Sequence, residues 1–224
     1  MLVRFSVSNF RSFNEMASFS MVANNRISRF RDHTMTCGDT NLLKTGFLYG
    51  ANASGKSNLV KTVDFARRTI LRGEAGAERL NQYFKINKDG RNTPGVFQFD
   101  IALDSEVYSY GFALSYQDGT IVEEWLYRVY KNGSESKIFE RNEEQEVTTD
   151  LNISGDAKRR FDVYRADIKT MPKRLFLSEI AKKNVQNVAE FHVFNAVYGW
   201  FTRLIVISPI LNLVHCLLHC ETRK

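Results

Sequence analysis

The residues best suited to chemistry form one run, Gly50-Ala51-Asn52-Ala53-Ser54-Gly55-Lys56-Ser57, which fits G-x-x-x-x-G-K-[ST] at every fixed position. Such a loop wraps its backbone N–H groups around a triphosphate, and Gly50 and Gly55 keep Cβ atoms out of the way. Lys56 is then placed to reach the β- and γ-phosphates, and the Ser57 hydroxyl to hold Mg²⁺. The chemistry predicted is the binding of Mg·ATP.

A loop of this kind needs a strand feeding it and a helix leaving it. Thr45-Gly46-Phe47-Leu48-Tyr49 is a short β-prone run ending at Gly50, read as a buried strand. Downstream, Leu59, Val60, Val63, Phe65, Ala66 and Ile70 recur at helical spacing with Lys61, Asp64, Arg67 and Arg68 between them, which predicts a helix over about 56–71. Its N-terminus would turn free amides and the positive dipole end toward the phosphates.

The remaining elements follow in order. Leu2/Arg4/Ser6 alternate against Val3/Phe5/Val7, a strand with one buried face, and a second β-prone run, Ala17 to Ala23, follows closely enough to pair with it as a hairpin. Between them Asn9-Phe10-Arg11-Ser12-Phe13 is a polar turn carrying two aromatics. Residues Asn24 to Lys44 read as irregular, with turn signals at Gly38-Asp39. From Gly95 to Thr149 strand patterns alternate with turn chemistry at Asp104-Ser105 and Gln117-Asp118-Gly119, an antiparallel meander whose aromatics Phe97, Phe99, Tyr108, Tyr110 and Phe112 read as packing. The period then changes to helical through Leu175–Ala181 and Val188–Phe201, with Ser178-Glu179 read as a cap. Leu204-Ile205-Val206-Ile207 reads as a buried parallel-type strand ended by Pro209.

Composition bounds the class. A chain of 224 residues with 43% hydrophobic content can bury a substantial core and reads as one domain. Its N-terminus alternates like a strand and lacks the apolar core of a signal peptide, the apolar stretch 204–218 is too interrupted to span a membrane, and three cysteines make no disulfide framework. A cytoplasmic protein is expected. The net charge of +6 is dispersed over Arg26/Arg29/Arg31, Lys158-Arg159-Arg160 and Lys182-Lys183. Such clusters suit a solvated face or a phosphate backbone, and no helix-turn-helix, zinc-finger or RNA-recognition signature accompanies them.

The order "FSVSNFRSF", second strand, "GFLYGANASGKSNL" resembles the N-terminal end of ABC-like, AAA-type ATPases of the OLD, RecF and SMC type. "VYSYGFAL", "IVEEWLYRVY", "RLFLSEIAKKN" and "VFNAVYGWFTRLIVISP" look like the ATP-binding proteins of that group found in bacterial anti-phage and abortive-infection systems. The resemblance implies an α/β P-loop NTPase of the ABC-like type: an N-terminal lobe with an antiparallel β subdomain and C-terminal helices. On that pattern residues 1–72 form the nucleotide-binding core, 95–149 the β lobe, 170–209 helices and a core strand, and 210–224 an atypical tail.

The same likeness makes Arg11 a nucleotide contact and places Asn52 near the γ-phosphate. Asn52 also tolerates the left-handed backbone such loops adopt. Ala53 and Ser54 complete the binding loop, and Asn58, a helix-start residue beside it, is a further candidate ligand of the nucleotide. In function it implies Mg·ATP-driven dimerisation that controls an effector protein in anti-phage defence. The chain departs from the pattern in carrying no run of four apolar residues followed by Asp-Glu, the acidic strand that would hold Mg²⁺ through water and activate the attacking water, and no Gly-rich signature loop; Leu151–Asp156 is a faint echo of one. Hydrolysis by this chain is therefore open, with a non-hydrolysing nucleotide-binding regulatory module, or a remnant, as the alternative. Gln98 alternates inside a strand and reads as part of it rather than as a metal-sensing glutamine. His215-Cys216-Leu217-Leu218-His219-Cys220 has two His at i and i+4 but no complementary ligand pair elsewhere.

Overall fold

A computed structural model describes residues 1–24, 26, 31–38, 40–183 and 189–207. The centre is a seven-stranded antiparallel sheet in the order β2-β1-β5-β6-β7-β8-β9. Its strands are β1 (Leu2–Ser8), β2 (Ala17–Ser20), β5 (Gly95–Leu103), β6 (Glu106–Leu114), β7 (Ile121–Val129), β8 (Glu135–Arg141) and β9 (Val147–Thr148). The expected N-terminal hairpin and the meander are both present. They are joined, because β1 pairs β2 on one side and β5 on the other, with Phe5 opposite Phe99 and Val7 opposite Phe97.

One face of this sheet carries the core, since the side chains of a strand alternate. Phe5, Phe97, Phe99, Tyr110 and Phe112 are fully buried there and Tyr108 nearly so, as the packing reading expected. Four helices cover the face: α1 (Lys56–Arg72), α2 (Gly155–Thr170), α3 (Phe176–Lys183) and α4 (His192–Arg203). The predicted helix over 56–71 is α1, and Phe65 seats it, meeting Phe10 and Phe97 at ring-centroid distances of 4.8 and 5.2 Å.

Four expectations change. Residues 24–44 are not uniformly irregular: β3 (Thr34–Cys37) and β4 (Thr40–Leu43) form a small hairpin around Gly38, whose φ of 54° suits a tight turn. Strands of four residues are too short for alternation to be read. Thr45–Tyr49 is not a strand. It is exposed, Phe47 at 75% and Tyr49 at 86%, and no strand among the described residues pairs with it; the two aromatic rings lie 6.2 Å from one another. Leu204–Ile207 is not a strand either, and Ile205 and Ile207 are 80% and 68% exposed, since no neighbouring strand offers a ladder among the described residues.

The fourth change is at Ser178-Glu179, which lies inside α3 rather than capping it. The Ser178 hydroxyl donates to the Ile70 carbonyl at 2.6 Å, and Glu179 pairs with Lys183. The cap comes from β7: buried Glu124 accepts from the amides of Phe176 (2.6 Å) and Leu177 (3.0 Å). Arg29, Pro209 and the 210–224 tail, with its His/Cys reading, lie outside the described residues.

Candidate functional site

Helix α1 is held firmly at one end and left open at the other. The last carbonyls of a helix have no partner within it, and here the neighbours supply them. Ile70 accepts from Ser178 Oγ, Leu71 from Tyr198 Oη (3.1 Å), Arg72 from Lys182 Nζ (2.7 Å) and Gly73 from the Leu175 amide (2.7 Å). The Lys182 ammonium also sits favourably at the negative end of the dipole. Lys183 is engaged with Glu179 and Asp167, and Arg160 with Asp156, so two of the basic clusters take part in structural pairs.

At the other end stands the Gly50–Ser57 loop. Gly55 caps α1 in a left-handed conformation with φ 93°, and a Cβ there would lie 3.2 Å from Ser12 Oγ. Gly50 has no positive φ; its role is close approach, since a Cβ would meet Ser54 Oγ at 2.8 Å. The second left-handed residue of the loop is Ala53, at φ 64°. Asn52 is not left-handed, which corrects the conformational reason given for it. Lys56 curls into the loop, its Nζ donating to the carbonyls of Gly50 and Ala51 at 2.6 Å each and to Ser54 Oγ at 3.2 Å. Ser57 is exposed, and the amides of Lys56 and Ser57, in the first turn, have no carbonyl one turn back to bond.

Beside the loop the turn after β1 forms a wall. Phe10 and Phe13 exchange both backbone hydrogen bonds at 2.9 Å, leaving Arg11 at the tip with φ 52°, a left-handed conformation that is costly for a residue with a long side chain. Asn9 is 4% exposed and fixes the turn: its Nδ2 donates to the carbonyls of Gly90 and Thr93, and its Oδ1 accepts from the Phe84 amide. Tyr116 Oη closes the knot by donating to the Asn9 carbonyl at 2.7 Å. The Arg11 amide donates to the Gln82 carbonyl at 2.6 Å. Turn and 81–86 segment are thereby tied together around a cleft of about 620 Å³, which Arg11, Ser12 and Asn58 line from one side and residues 81–86 from the other.

The structure thus brings Arg11 and Asn58 to one cleft, and Ser12, which also lines it, is the residue a Cβ at Gly55 would meet. Arg11 Nε is buried without a hydrogen-bond partner, burial lowers its guanidinium below the ordinary value, and the group stands 5.7 Å from the Phe10 ring centroid. Gln98 lies on the other face of the sheet, donating to Asp100 and Ser109. Asn9, Gln82 and Tyr83 were not singled out in the sequence. An Asn in a turn between two strands was the available signal for the first, and nothing local marked the others.

A glycine-bounded loop thus opens an amphipathic helix packed against an antiparallel sheet, a mixed α/β architecture in which no strand feeds the loop among the described residues; that the module is of the P-loop ATPase, nucleotide-binding type follows from the family match. The family model described as "AAA domain, putative AbiEii toxin, Type IV TA system" matches residues 47–207, well over half of the chain, and the chain belongs to that family. No curated protein matches it. No helix of the described residues is long and apolar enough to cross a membrane, and no group of three or more metal-ligating side chains occurs among them.

Proposed function

We propose that the Gly50–Ser57 loop binds the triphosphate of Mg·ATP in a cytoplasmic, nucleotide-gated module. The observation that carries this reading is the cradle itself: two positions where a Cβ would intrude, a left-handed Gly55, and first-turn amides of a 17-residue helix without internal acceptors. The donor set fits the group. Lys56 Nζ exchanges the Gly50 and Ala51 carbonyls for β- and γ-phosphate oxygens, Ser57 Oγ is exposed to take Mg²⁺, and Asn52, Ala53 and Ser54 supply loop backbone. Bound Mg²⁺ would neutralise phosphate charge.

By the family pattern, ATP binding joins two copies of the chain and controls an effector protein in anti-phage defence. The exposed Phe47-Leu48-Tyr49 stretch beside the loop offers apolar area that such an association would bury. A second reading, binding without turnover, is favoured by one observation: the sequence carries no run of four apolar residues followed by Asp-Glu, the acidic strand that would activate the attacking water.

The test is calorimetric titration of the chain with ATP in the presence and absence of Mg²⁺, with molecular mass followed in parallel. The reading expects Mg²⁺-assisted binding, a shift to twice the mass, and loss of the Mg²⁺ effect in Ser57→Ala. Equal affinity with and without the metal in both proteins would overturn the assignment of Ser57.

A further inference from the structure

We propose that the cavity between the β3–β4 hairpin and the sheet face that the helices leave uncovered binds a small organic carboxylate with an apolar body. Arg4 and Arg128 would hold its charge. The cavity lies on the same face as Gln98 and Asp100 and shares no residue with the Gly50–Ser57 loop.

Three observations carry it. The first is that the cavity is built. Its volume of about 390 Å³ is within the range of small-ligand sites, and β1, β2, β5, β6, β7 and both strands of the hairpin contribute to its wall. The hairpin is fastened on two sides. At its tip Gly38 approaches the β5–β6 turn so closely that a Cβ would lie 2.6 Å from the Ser105 carbonyl oxygen. Along β4 the Leu43 amide donates to the Met21 carbonyl at 2.7 Å, and the Asn41 carbonyl accepts from the Ala23 amide at 2.8 Å. Cys37 and Leu42 pack with Val3 and Ala102 as a small core of their own. Walls fixed in this way keep their shape before a ligand arrives, which reduces the ordering cost of binding.

The second observation is a pair of arginines, each oriented by a carboxylate. Arg4 gives Nε (2.7 Å) and one terminal amino group (2.6 Å) to the buried Asp100, which also accepts from Gln98 Nε2 at 3.0 Å. Its other terminal amino group has no partner among the described residues, and half of the side chain is exposed. Arg128 lies 3.1 Å from Glu106 and 5.8 Å from the Tyr108 ring centroid. A guanidinium held from behind presents its remaining N–H groups as a rigid fork, the geometry that matches a carboxylate.

The third is the balance of the lining. Arg4, Arg128 and Lys131 stand against two carboxylates, Asp100 and Glu106, which leaves one positive charge in excess. That excess suits a monoanion, whereas a phosphate ester would bring roughly two negative charges beside both carboxylates. Val3, Val22, Cys37, Val107 and Val129 supply the apolar area against which the body of the ligand would pack.

The experiment titrates the full chain with 3-phenylpropionate and with hexanoate, followed by calorimetry and by methyl NMR spectra. The inference expects saturable binding with a dissociation constant of about 1 mM or tighter, the scale for ligands of about a dozen heavy atoms. The methyl signals of Val3, Val107 and Val129 should shift and those of Val63 in α1 should not. The neutral 3-phenylpropionamide and the dianionic phenyl phosphate should each bind at least about fivefold more weakly than 3-phenylpropionate. Arg4→Gln, which removes the fork, and Val22→Trp, which fills the cavity from a half-exposed position, should each lose at least about fivefold while melting within a few degrees of the unaltered chain. If Arg4→Gln fails to fold because Asp100 has lost its partner, Val22→Trp decides alone. Absence of saturable binding by both acids, shifts confined to other methyls, an amide or a phosphate that binds as tightly, or a Val22→Trp protein of unchanged affinity would overturn the inference. Lys56→Ala should bind both acids as the unaltered chain does, so failure of the loop reading leaves this result unaffected.

Discussion

Removing the carboxylate of Glu124 should destabilise the protein by about 3–4 kcal/mol, chiefly by stranding a buried arginine. Glu124 and Arg141 are both fully buried with 3.7 Å between charged atoms. Losing one partner of such a pair costs about 3–5 kcal/mol, because the other charge stays buried and uncompensated. Arg141 keeps other acceptors, the carbonyls of Arg174 and Pro172 and the side chain of Gln145, which places the cost toward the low end. The amides of Phe176 and Leu177 lose their cap as well, about 1 kcal/mol for a helix start. With a urea m-value of about 2–3 kcal/mol/M, Glu124→Ala should lower the unfolding midpoint by roughly 1–2 M. Glu124→Gln keeps one acceptor oxygen and should lie between. The double change Glu124→Leu with Arg141→Met removes both charges and should recover most of the loss. A midpoint shift for Glu124→Ala equivalent to less than about 1 kcal/mol, or a double variant as unstable as the sum of its parts, would refute the reasoning. The effect should reach the loop, since α3 holds the last turn of α1 through Ser178 and Lys182.

Three further outcomes are expected. Asn9→Ala should cost about 2–3 kcal/mol in urea unfolding and loosen the Arg11 turn, because it leaves the Phe84 amide and the Gly90 and Thr93 carbonyls without their partner. Ala53→Gly should stabilise the chain by about 1 kcal/mol by removing a Cβ from a left-handed position, whereas Gly55→Ala should destabilise it by at least as much, through its φ and the Ser12 contact; thermal melting separates the two. In alkali, burial and the hydrogen bond to Glu106 push the Tyr108 hydroxyl up to about 12. Because the folded value lies above the ordinary 10, the stability it contributes is complete below about pH 10 and is lost as pH rises through about 12. Tyr108→Phe should flatten that part of the pH–stability curve, and an unchanged curve would contradict the assignment.

What could be read from the sequence was local. The loop and α1 follow from fixed glycines and a 3.6-residue period that ends at Gly73, and the meander follows from alternating strands separated by turns. Helix α2 escaped, although Ala157, Phe161, Tyr164 and Ile168, its buried residues, recur at intervals of four, three and four; charged residues fill the positions between and hide the narrow stripe. Thr45–Tyr49 and Leu204–Ile207 failed for a different reason. β-propensity describes how well a side chain suits a pleated surface, and a ladder requires a neighbour that sequence pattern alone does not supply. The devices that position the site, Asn9 beneath the Arg11 turn, Glu124 capping α3 and Ser178 closing α1, join residues up to 108 positions apart. Nothing in the local pattern at either end specifies such pairings. Asn52 shows the converse: the motif placed it in the loop, but the left-handed position belongs to Ala53.

The central claim is that the Gly50–Ser57 loop binds triphosphate through Lys56. Calorimetric titration of Mg·ATP into the chain and into Lys56→Ala tests it most directly. Loss of a charged donor to phosphate is worth about 2–3 kcal/mol, so the variant should bind at least about 30-fold more weakly while melting within a few degrees of the unaltered chain. An unchanged affinity in a folded Lys56→Ala protein would contradict it.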